Sequence, residues 1–251
     1  MRFSLLLCVF LAAALCGCGV TDTDYFRKTK NFYYSHVNSP VKMNTAKAPK
    51  VNAETVGLVT GMAQVDTVLT SLERSLAAIA DPNDGKALGN LRARFPWISA
   101  MYSVTPGGTV MATIPEEPFK QLSFSWLGDK EAKPRVLYGT IQDTVFGPEF
   151  ILARPYFQAE ELLSWLCISF DPRTLFQAYP ETSGLTIIGA DIPLQTDPSF
   201  SSSPLSQADW HAILRKDSDG RMRGHDGTAW VWLVRYLGGE PMIFAAPADK
   251  D

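Results

Sequence analysis

The feature that most constrains this fold is a stripe of apolar residues in the region 58–79. Its members recur at alternating intervals of four and three residues, which places them along one side of an α-helix. They are Leu58, Met62, Val65, Leu69, Leu72, Leu76 and Ile79. Asn52 suits the N-cap position, and the turn-forming residues 81–85 end the helix. The sequence therefore predicts a long helix whose apolar side packs on another part of the fold.

Two arrangements would bury this stripe. It packs on a sheet of the same chain, or it forms the coiled-coil seam of a homodimer through helix 52–80. The positions that flank a coiled-coil seam usually carry charges, and here they include Val68 and Ser75. The sequence therefore favours packing within the chain.

The N-terminus has the features of an export signal. Arg2 precedes an apolar run at 5–15. This run is shorter than the roughly 20 apolar residues that span a membrane, and it suits a signal peptide. The run ends in Leu-Cys-Gly-Cys at 15–18, which resembles the bacterial lipobox. The resemblance implies a signal peptide at 1–17 and lipid attachment at Cys18.

Two alternatives to this cleavage site exist. Cleavage before Cys16 would leave Leu15 at the last position of the signal, where so large a side chain is unfavourable. An ordinary secretory signal with chance cysteines is the other alternative. Attachment at Cys18 makes membrane lipid the first predicted partner. It places the protein on the cell membrane, lipid-anchored at the extracytoplasmic (periplasmic) face.

The charge is unevenly distributed behind this anchor. The predicted anchor and tether, residues 18–51, are polar and without periodicity. Residues 19–50 contain six basic and two acidic residues, which suits an anionic lipid surface. Residues 51–251 contain 16 basic and 24 acidic residues. This acidic body argues against a nucleic-acid partner.

Beyond the helix the apolar period changes to two, which is typical of strands. Residues 98–104 and 110–114 alternate around a Pro-Gly-Gly turn and predict a β-hairpin. Apolar spacing at Phe119, Leu122 and Trp126 predicts a short helix. The other predicted elements are strands at 136–141, 149–157, 163–170, 185–188, 229–237 and 242–245, and helices from 172 and at 207–215.

The order of these elements resembles the Cache family, the extracytoplasmic PAS-like sensor modules of bacteria. The motifs that carry the resemblance are Phe-Pro-Trp at 95–97, Pro-Gly-Gly at 106–108, Arg-Pro-Tyr at 154–156 and Asp-Pro-Arg-Thr-Leu at 171–175. The resemblance implies an α+β fold in which a long N-terminal helix is followed by an antiparallel PAS-like sheet. It implies a Cache-like domain at 52–180 and a second, smaller and degenerate PAS-like module at 181–251.

Cache domains bind small ligands such as amino acids, carboxylates or amines over the central sheet. Amino-acid-binding members often carry an aspartate near the last strand, and Ser169 stands at the matching position here. The family usually joins its sensor to a transmembrane helix and a cytoplasmic output. This sequence indicates neither, so the resemblance implies ligand binding and does not imply autonomous signalling. We expect the protein to act through a separate transmembrane signalling partner.

Five further residues are candidates for the ligand site. Arg154 shares a strand face with Tyr156 and could clamp the carboxylate of a small polar ligand, or it could extend to the surface. Tyr138 and Trp126 could be pocket walls or plain core residues. Asp143 could hold an amine or cap a turn.

The residue inventory argues against an enzyme. The three histidines have no metal-ligand spacing, and no Gly-x-Ser-x-Gly elbow or phosphate-binding glycine loop occurs. The sequence predicts no metal and no cofactor, and Cys167 is expected to be an inert core residue. A hydrolase with a scattered triad stays open. The predicted function is a membrane-tethered, extracytoplasmic, small-molecule-binding lipoprotein; the alternative is a structural or interaction lipoprotein without a ligand.

Overall fold

The computed structural model describes residues 53–179, 182, 184–196, 200–224 and 227–248. The predictions about the signal peptide, Cys18, the tether and the Asn52 cap therefore lie outside the described residues. None of the described helices combines the length and the hydropathy that a membrane span requires.

Two helices open the described part of the chain. Helix α1 spans Ala53–Ala78, and helix α2 spans Gly85–Arg94. Asp84 caps α2 because its carboxylate accepts hydrogen bonds from the backbone N–H groups of Lys86 and Ala87. The sequence prediction treated 81–85 only as the end of the first helix and missed that the same residues begin the second.

The first sheet, sheet A, is antiparallel and has the strand order β2-β1-β5-β4-β3. Its strands are β1 (Ala100–Val104), β2 (Val110–Ile114), β3 (Tyr138–Thr144), β4 (Gly147–Gln158) and β5 (Glu161–Phe170). Helix α3 (Pro172–Gln177) follows β5 directly, with Asp171 as its N-cap.

The second sheet, sheet B, is also antiparallel and has the order β7-β6-β10-β9-β8. Its elements are β6 (Thr186–Ile188), β7 (Pro193–Gln195), helix α4 (Trp210–Leu214), β8 (Asp219–Arg223), β9 (Ala229–Leu237) and β10 (Glu240–Ala248). A long helix with two five-stranded antiparallel sheets confirms the predicted α+β class. The short strands β7 and β8 escaped prediction because they hold few apolar residues.

Helix α1 packs on one face of both sheets, which we call their inner faces. All seven residues of the apolar stripe are at most 6% exposed, and they share one core with Leu152 of sheet A and Phe244 of sheet B. The expectation of packing within the chain is confirmed. A homodimer seam along this stripe is wrong, because the apolar side chains that would form it are already buried in the chain's own core.

Arg235 fixes α1 to sheet B. Its guanidinium lies on the inner face and is 8% exposed at the side chain. It donates hydrogen bonds to Asp66 Oδ1 at 2.9 Å and to Glu73 Oε2 at 3.0 Å. An extended strand thus holds two turns of the helix through one planar cation, the geometry that arginine supplies best.

The two sheets meet at a glycine contact. The N–H of Gly139 in β3 donates to the carbonyl of Gly238, in the turn between β9 and β10, at 2.6 Å. A Cβ at Gly139 would lie 2.3 Å from the carbonyl oxygen of Leu237. Gly238 has a φ of +60°, a conformation that glycine adopts without strain. Only glycine lets the two backbones approach so closely.

Residues 115–137, which we call the cover segment, lie over the opposite face of sheet A, its outer face. The predicted helix at Phe119–Trp126 is reduced to a 3-10 turn at Ser125–Leu127. The reason is that both backbone polar groups of Ser123 are hydrogen-bonded to a side chain of the sheet. Its N–H donates to Gln142 Oε1 at 3.0 Å, and its carbonyl accepts from Gln142 Nε2. A helix would need these groups for itself.

Candidate functional site

The outer face of sheet A is packed under the cover segment. Phe124 and Leu127 of the segment are at most 2% exposed and rest on a floor from three strands. The ring of Tyr102 lies 4.8 Å from that of Phe124. The buried floor residues are Ala100, Tyr102, Val104, Ile151, Ala153, Trp165 and Cys167. Burial raises the pKa of the Cys167 thiol well above its ordinary value, so this cysteine is unreactive.

A buried ion cluster lies at one end of this face. Lys120 of the cover segment places its ammonium 2.8 Å from Glu149 Oε2 and 3.0 Å from Asp171 Oδ2. It also donates to the carbonyl of Pro148 at 3.1 Å and lies 3.5 Å from that of Gly147. Glu149 is 0% exposed and Lys120 is 8% exposed. Charges this deeply buried need partners, since an isolated one is costly to desolvate.

Asp171 joins this cluster to helix α3. Its carboxylate caps α3 through the N–H of Arg173, and it accepts further hydrogen bonds from the Arg173 side chain at 2.6 and 2.9 Å. Burial alone would raise the pKa of Asp171, but the hydrogen bonds from Arg173 and Lys120 outweigh burial. The pKa of this carboxyl therefore lies below its ordinary value.

Three buried polar groups beside the cluster have no well-oriented hydrogen bond. They are the hydroxyl of Tyr102, the hydroxyl of Ser169 and the carboxylate of Glu149, whose contact with Lys120 is close but poorly angled. The strand register puts them on one face, because Tyr102 pairs with Cys167 and Ser169 pairs with Ile151. Burial raises the pKa of Tyr102, its poorly oriented side-chain hydrogen bond with Ser169 lowers it, and the charge of Glu149 raises it. The three groups are thus neighbours.

Two aromatic residues border the same face. The indole N–H groups of Trp126 and Trp165 are buried and also have no hydrogen-bond partner. Tyr138 contacts Trp165 edge to face at 5.4 Å. The Tyr138 hydroxyl is satisfied, since it donates to the carbonyl of Glu131 and accepts from the N–H of Lys133, both at 2.9 Å. Three of the predicted site residues, Trp126, Tyr138 and Ser169, thus lie on the same face of sheet A.

Arg154 and Tyr156 lie on the inner face, away from this group. The Arg154 guanidinium donates to the backbone carbonyls of Leu76 and Ile79, the latter at 2.6 Å. The Tyr156 hydroxyl donates to the same Ile79 carbonyl at 2.9 Å, and the cation lies 4.7 Å from the Tyr156 ring centre. Both side chains thus satisfy carbonyls at the C-terminal end of α1. Their role in ligand binding stays a prediction.

Asp143 lies on β3 opposite Pro148, near the turn into β4, and is exposed. The structure places it apart from the inner-face pair and outside the buried ion cluster, and its role in amine binding stays a prediction.

Sequence reasoning missed Tyr102, Lys120 and Glu149. A signal for Glu149 existed: it begins an otherwise apolar strand and shares the alternation of Ile151 and Ala153, so its carboxylate had to be buried or to end the strand. Lys120 carried no such signal. Its position follows from the path of the cover segment, which no local pattern specifies.

A separate open cleft of about 120 Å³ lies on the inner face, between α2 and strand β1. Met101, Ile114, Leu166 and Leu88 give it apolar walls, and Ser103 contributes one buried hydroxyl without a partner. We place the candidate site on the outer face instead, because unpartnered polar groups are concentrated there. Within the described residues, no three His, Cys, Asp or Glu side chains are close enough to hold a metal ion.

Comparison with solved structures shows what this fold is similar to. The extracellular domain of vpHK1S-Z8, named as a histidine kinase, aligns over 77% of this chain and 92% of its own, at 10% identity and a TM-score of 0.52. A domain of a sensory box/GGDEF family protein from Vibrio parahaemolyticus covers 77% and 93%, also at 10% identity and 0.52.

A third similar structure is the ligand-binding domain of the Pseudomonas fluorescens chemoreceptor CtaA in complex with L-leucine. It covers 79% of this chain and 92% of its own, at 13% identity and a TM-score of 0.50. No family model and no curated protein matches the sequence. At these identities the similarity establishes the fold alone, and that fold agrees with the α+β arrangement that the Cache resemblance implies.

Proposed function

We propose that this chain is an extracytoplasmic small-molecule-binding module of the sensor type, tethered to the membrane through Cys18 and acting through a separate transmembrane partner. The observation that carries the proposal is the group of buried, unpartnered polar atoms under the cover segment. A buried polar group without a partner costs free energy. A bound polar solute would supply the missing partners for Tyr102, Ser169 and Glu149.

The concentration of these atoms supports a site rather than scattered packing faults. Among the described residues, nine buried side-chain nitrogen and oxygen atoms have no hydrogen-bond partner. Six of them belong to the outer face of sheet A and its cover segment: the two oxygens of Glu149 and one atom each of Tyr102, Ser169, Trp126 and Trp165. Of these six, Glu149 Oε2 pairs with the Lys120 ammonium, so five lack any partner. Aromatic walls with a few convergent polar groups are the usual composition of small-molecule sites.

The fold similarity supports the same class of function. The three similar structures are sensor domains by name, and one of them was solved with an amino acid bound. By analogy, residues 52–180 are the ligand-binding domain of this chain and 181–251 a second, degenerate module. Fold analogy alone never fixes a ligand, so the ligand class has to come from the site.

The site we propose combines Tyr102, Ser169 and Glu149 as polar contacts with Trp126 and Tyr138 as walls. Arg154 and Tyr156 contribute at a distance, by holding the end of α1 against the sheet. The predicted carboxylate clamp at Arg154 would require this guanidinium to leave the carbonyls that it now binds.

Thermal unfolding of the purified protein against a metabolite library tests the site. A ligand at 100 times its dissociation constant should stabilise the fold by about 2.7 kcal/mol, a shift of about 5–10 °C in a protein of this size. Ser169→Ala and Tyr102→Phe should abolish the shift, because each removes only a polar atom from the site.

Ser103→Ala is the matched control. Ser103 lies on the same sheet, is also buried and also has a hydroxyl without a partner, but it faces the cleft on the other side. A shift that survives Ser169→Ala and disappears with Ser103→Ala would move the site to the cleft. No shift with any carboxylate, amine, amino acid or nucleobase would favour the alternative, an interaction lipoprotein whose packed faces bind no solute.

The tether has its own test. Cells grown with a labelled fatty acid should incorporate the label into the wild-type protein and leave Cys18→Ser unlabelled in the soluble extracytoplasmic fraction. Label on both proteins would refute attachment at Cys18.

A further inference from the structure

Lys120 is buried, whereas the apolar residue before it in the chain is exposed, which is the opposite of the usual arrangement. It is 8% exposed, whereas the neighbouring Phe119 is 76% exposed. Every other charged residue of the cover segment is exposed. Lysine is almost never fully buried unless it is paired. The Phe119 ring is thus exposed to solvent, while the ammonium group of Lys120 is buried against the sheet.

The oxygens around this ammonium come from a part of the fold that does not include the cover segment. Glu149 and the carbonyls of Gly147 and Pro148 belong to the start of β4, and Asp171 is the N-cap of α3. Arg173 independently holds Asp171 in place. We call the oxygens of Glu149, Asp171, Gly147 and Pro148 the oxygen cage. They are held by β4 and the start of α3, and the Lys120 ammonium comes to them from the cover segment.

The cage also continues beyond the ammonium. Glu149, which is 0% exposed, keeps Oε1 without any partner, and the unpartnered hydroxyls of Tyr102 and Ser169 lie on the same face. Lysine offers three N–H donors and no further polar atom, so it leaves these groups unsatisfied.

We infer that Lys120 is a built-in occupant of an ammonium site, and that a ligand with a primary ammonium group binds by displacing it. This inference rests on the proposed function and names the regulation of the same site. The displaced ammonium moves out with the part of the cover segment around it, residues 115–122, so ligand binding and release of this part are one event, and Trp126 stays in place as a wall of the site. The unbound protein is held closed by its own lysine.

Release of residues 115–122 would give a signal outside the site. The rest of the segment stays held by the hydrogen bonds between Ser123 and Gln142 and by the buried side chains of Phe124 and Leu127. Exchanging one ammonium for another costs little in the cage itself, because the same charge and the same donors remain. The ligand's additional contacts to Tyr102 and Ser169 set the differential affinity that shifts the equilibrium.

Chemical rescue of Lys120→Ala tests the inference. This substitution deletes three methylenes and the ammonium, which are the atoms of n-propylammonium. The melting temperature of the variant should fall by several degrees. n-Propylammonium chloride should restore much of that loss, whereas tetramethylammonium chloride, which has no N–H donor, should not. Lys130→Ala, an exposed lysine of the same segment, should respond equally to both salts.

An equal response of Lys120→Ala to both salts would overturn the inference. If that variant does not fold, hydrogen exchange of the wild-type protein takes its place. 3-Hydroxypropylammonium, whose hydroxyl can make the additional contact to Tyr102 and Ser169, should then speed amide exchange in residues 115–122 but not in α2. Unchanged rates would overturn the displacement.

The outcomes also separate the inference from the proposed function. A metabolite that stabilises the wild type and Lys120→Ala equally would refute the inference and leave the sensor function standing. Rescue by n-propylammonium without a response to any metabolite would support the cage and argue against the sensor function.

Discussion

The outer faces of the two sheets are built on the same plan and filled differently. On sheet B, Trp210 packs edge to face on Trp232 at 5.3 Å, and its indole N–H donates to the carbonyl of Leu205 at 3.1 Å. Among the described atoms of that face, the Thr186 hydroxyl is the one buried side-chain group without a partner. On sheet A, five such atoms lie in or under an irregular segment with an ion cluster at its edge, not counting Glu149 Oε2, which pairs with Lys120.

The outer face of sheet B is thus an apolar core that stabilises the fold. The outer face of sheet A contains buried polar atoms that lack hydrogen-bond partners. Tryptophan rings fill the space over sheet B and bury large apolar areas. Sheet A gives up part of that stabilisation, because a half-satisfied polar network is less stable than an apolar core. The unmet capacity is the physical reason to look for a ligand on sheet A.

The largest expected effect concerns the apolar face. Trp232→Ala should lower the free energy of unfolding by about 3–5 kcal/mol, because it leaves a cavity among packed rings. Denaturant unfolding monitored by circular dichroism would measure the loss. A loss below about 1 kcal/mol would mean that the sheet B face is loosely packed and that the comparison fails.

The inner faces should behave alike, since each sheet holds α1 with one arginine. Arg235→Met should cost about 1–3 kcal/mol, because Glu73 would lose its cation in a largely buried position while Asp66 remains half exposed. Arg215→Met, on an exposed residue, is the control and should change little. Equal losses in both variants would show that the ion pairs do not fix the helix.

Acid should act on the two sheets with opposite sign. The pKa of Asp171 is lowered in the fold, so its contribution to stability is full above the ordinary aspartate pKa and is lost as the pH falls below it. Burial raises the pKa of Glu240 on β10, so its ionisation near neutral pH costs stability that acid restores. Asp171→Asn should therefore lower the melting temperature at neutral pH, and Glu240→Gln should raise it.

A pH series of melting temperatures measures both variants. The difference between Asp171→Asn and the wild type should vanish in strong acid, and that of Glu240→Gln should vanish below its raised pKa. A shift of the same sign in both variants at neutral pH would contradict the contrast between the sheets.

The smallest expected effect concerns the polar face. Tyr102→Phe should leave the free energy of unfolding within about 0.5 kcal/mol of the wild type or raise it, because the deleted hydroxyl has no partner to lose. Denaturant titration without added ligand would measure this. A loss above about 1 kcal/mol would reveal a hydrogen bond that stabilises the unliganded protein, and the outer faces would then be alike.

The spacing of apolar residues predicted those elements in which most apolar positions of the pattern are buried. The stripe on α1, the Pro-Gly-Gly hairpin and the apolar strands β4, β5 and β9 were correct because one side chain in every two or every three to four must be buried. On β9, Trp230 and Trp232 are core residues, while Tyr236, which follows the same alternation, is 39% exposed.

The candidate site was only partly predictable. Trp126, Tyr138 and Ser169 lie together on the outer face of sheet A, but Arg154 and Tyr156 face the opposite side and bind the end of α1. Strand periodicity showed that these two share a face with Phe150 and Leu152. It could not say which face α1 covers, and that choice decides whether a polar residue contacts a ligand or a helix.

The sequence by itself determined the long helix, the antiparallel strands and the resemblance to an extracytoplasmic sensor, because these depend on periods and motifs within a few residues. Only the tertiary structure decided where the charges go. Lys120 meets Glu149 and Asp171 across separations of 29 and 51 residues, and Arg235 meets Asp66 across 169. Partners this distant are chosen by the path of the chain, and each buried charge requires one because desolvation without a partner would be too costly.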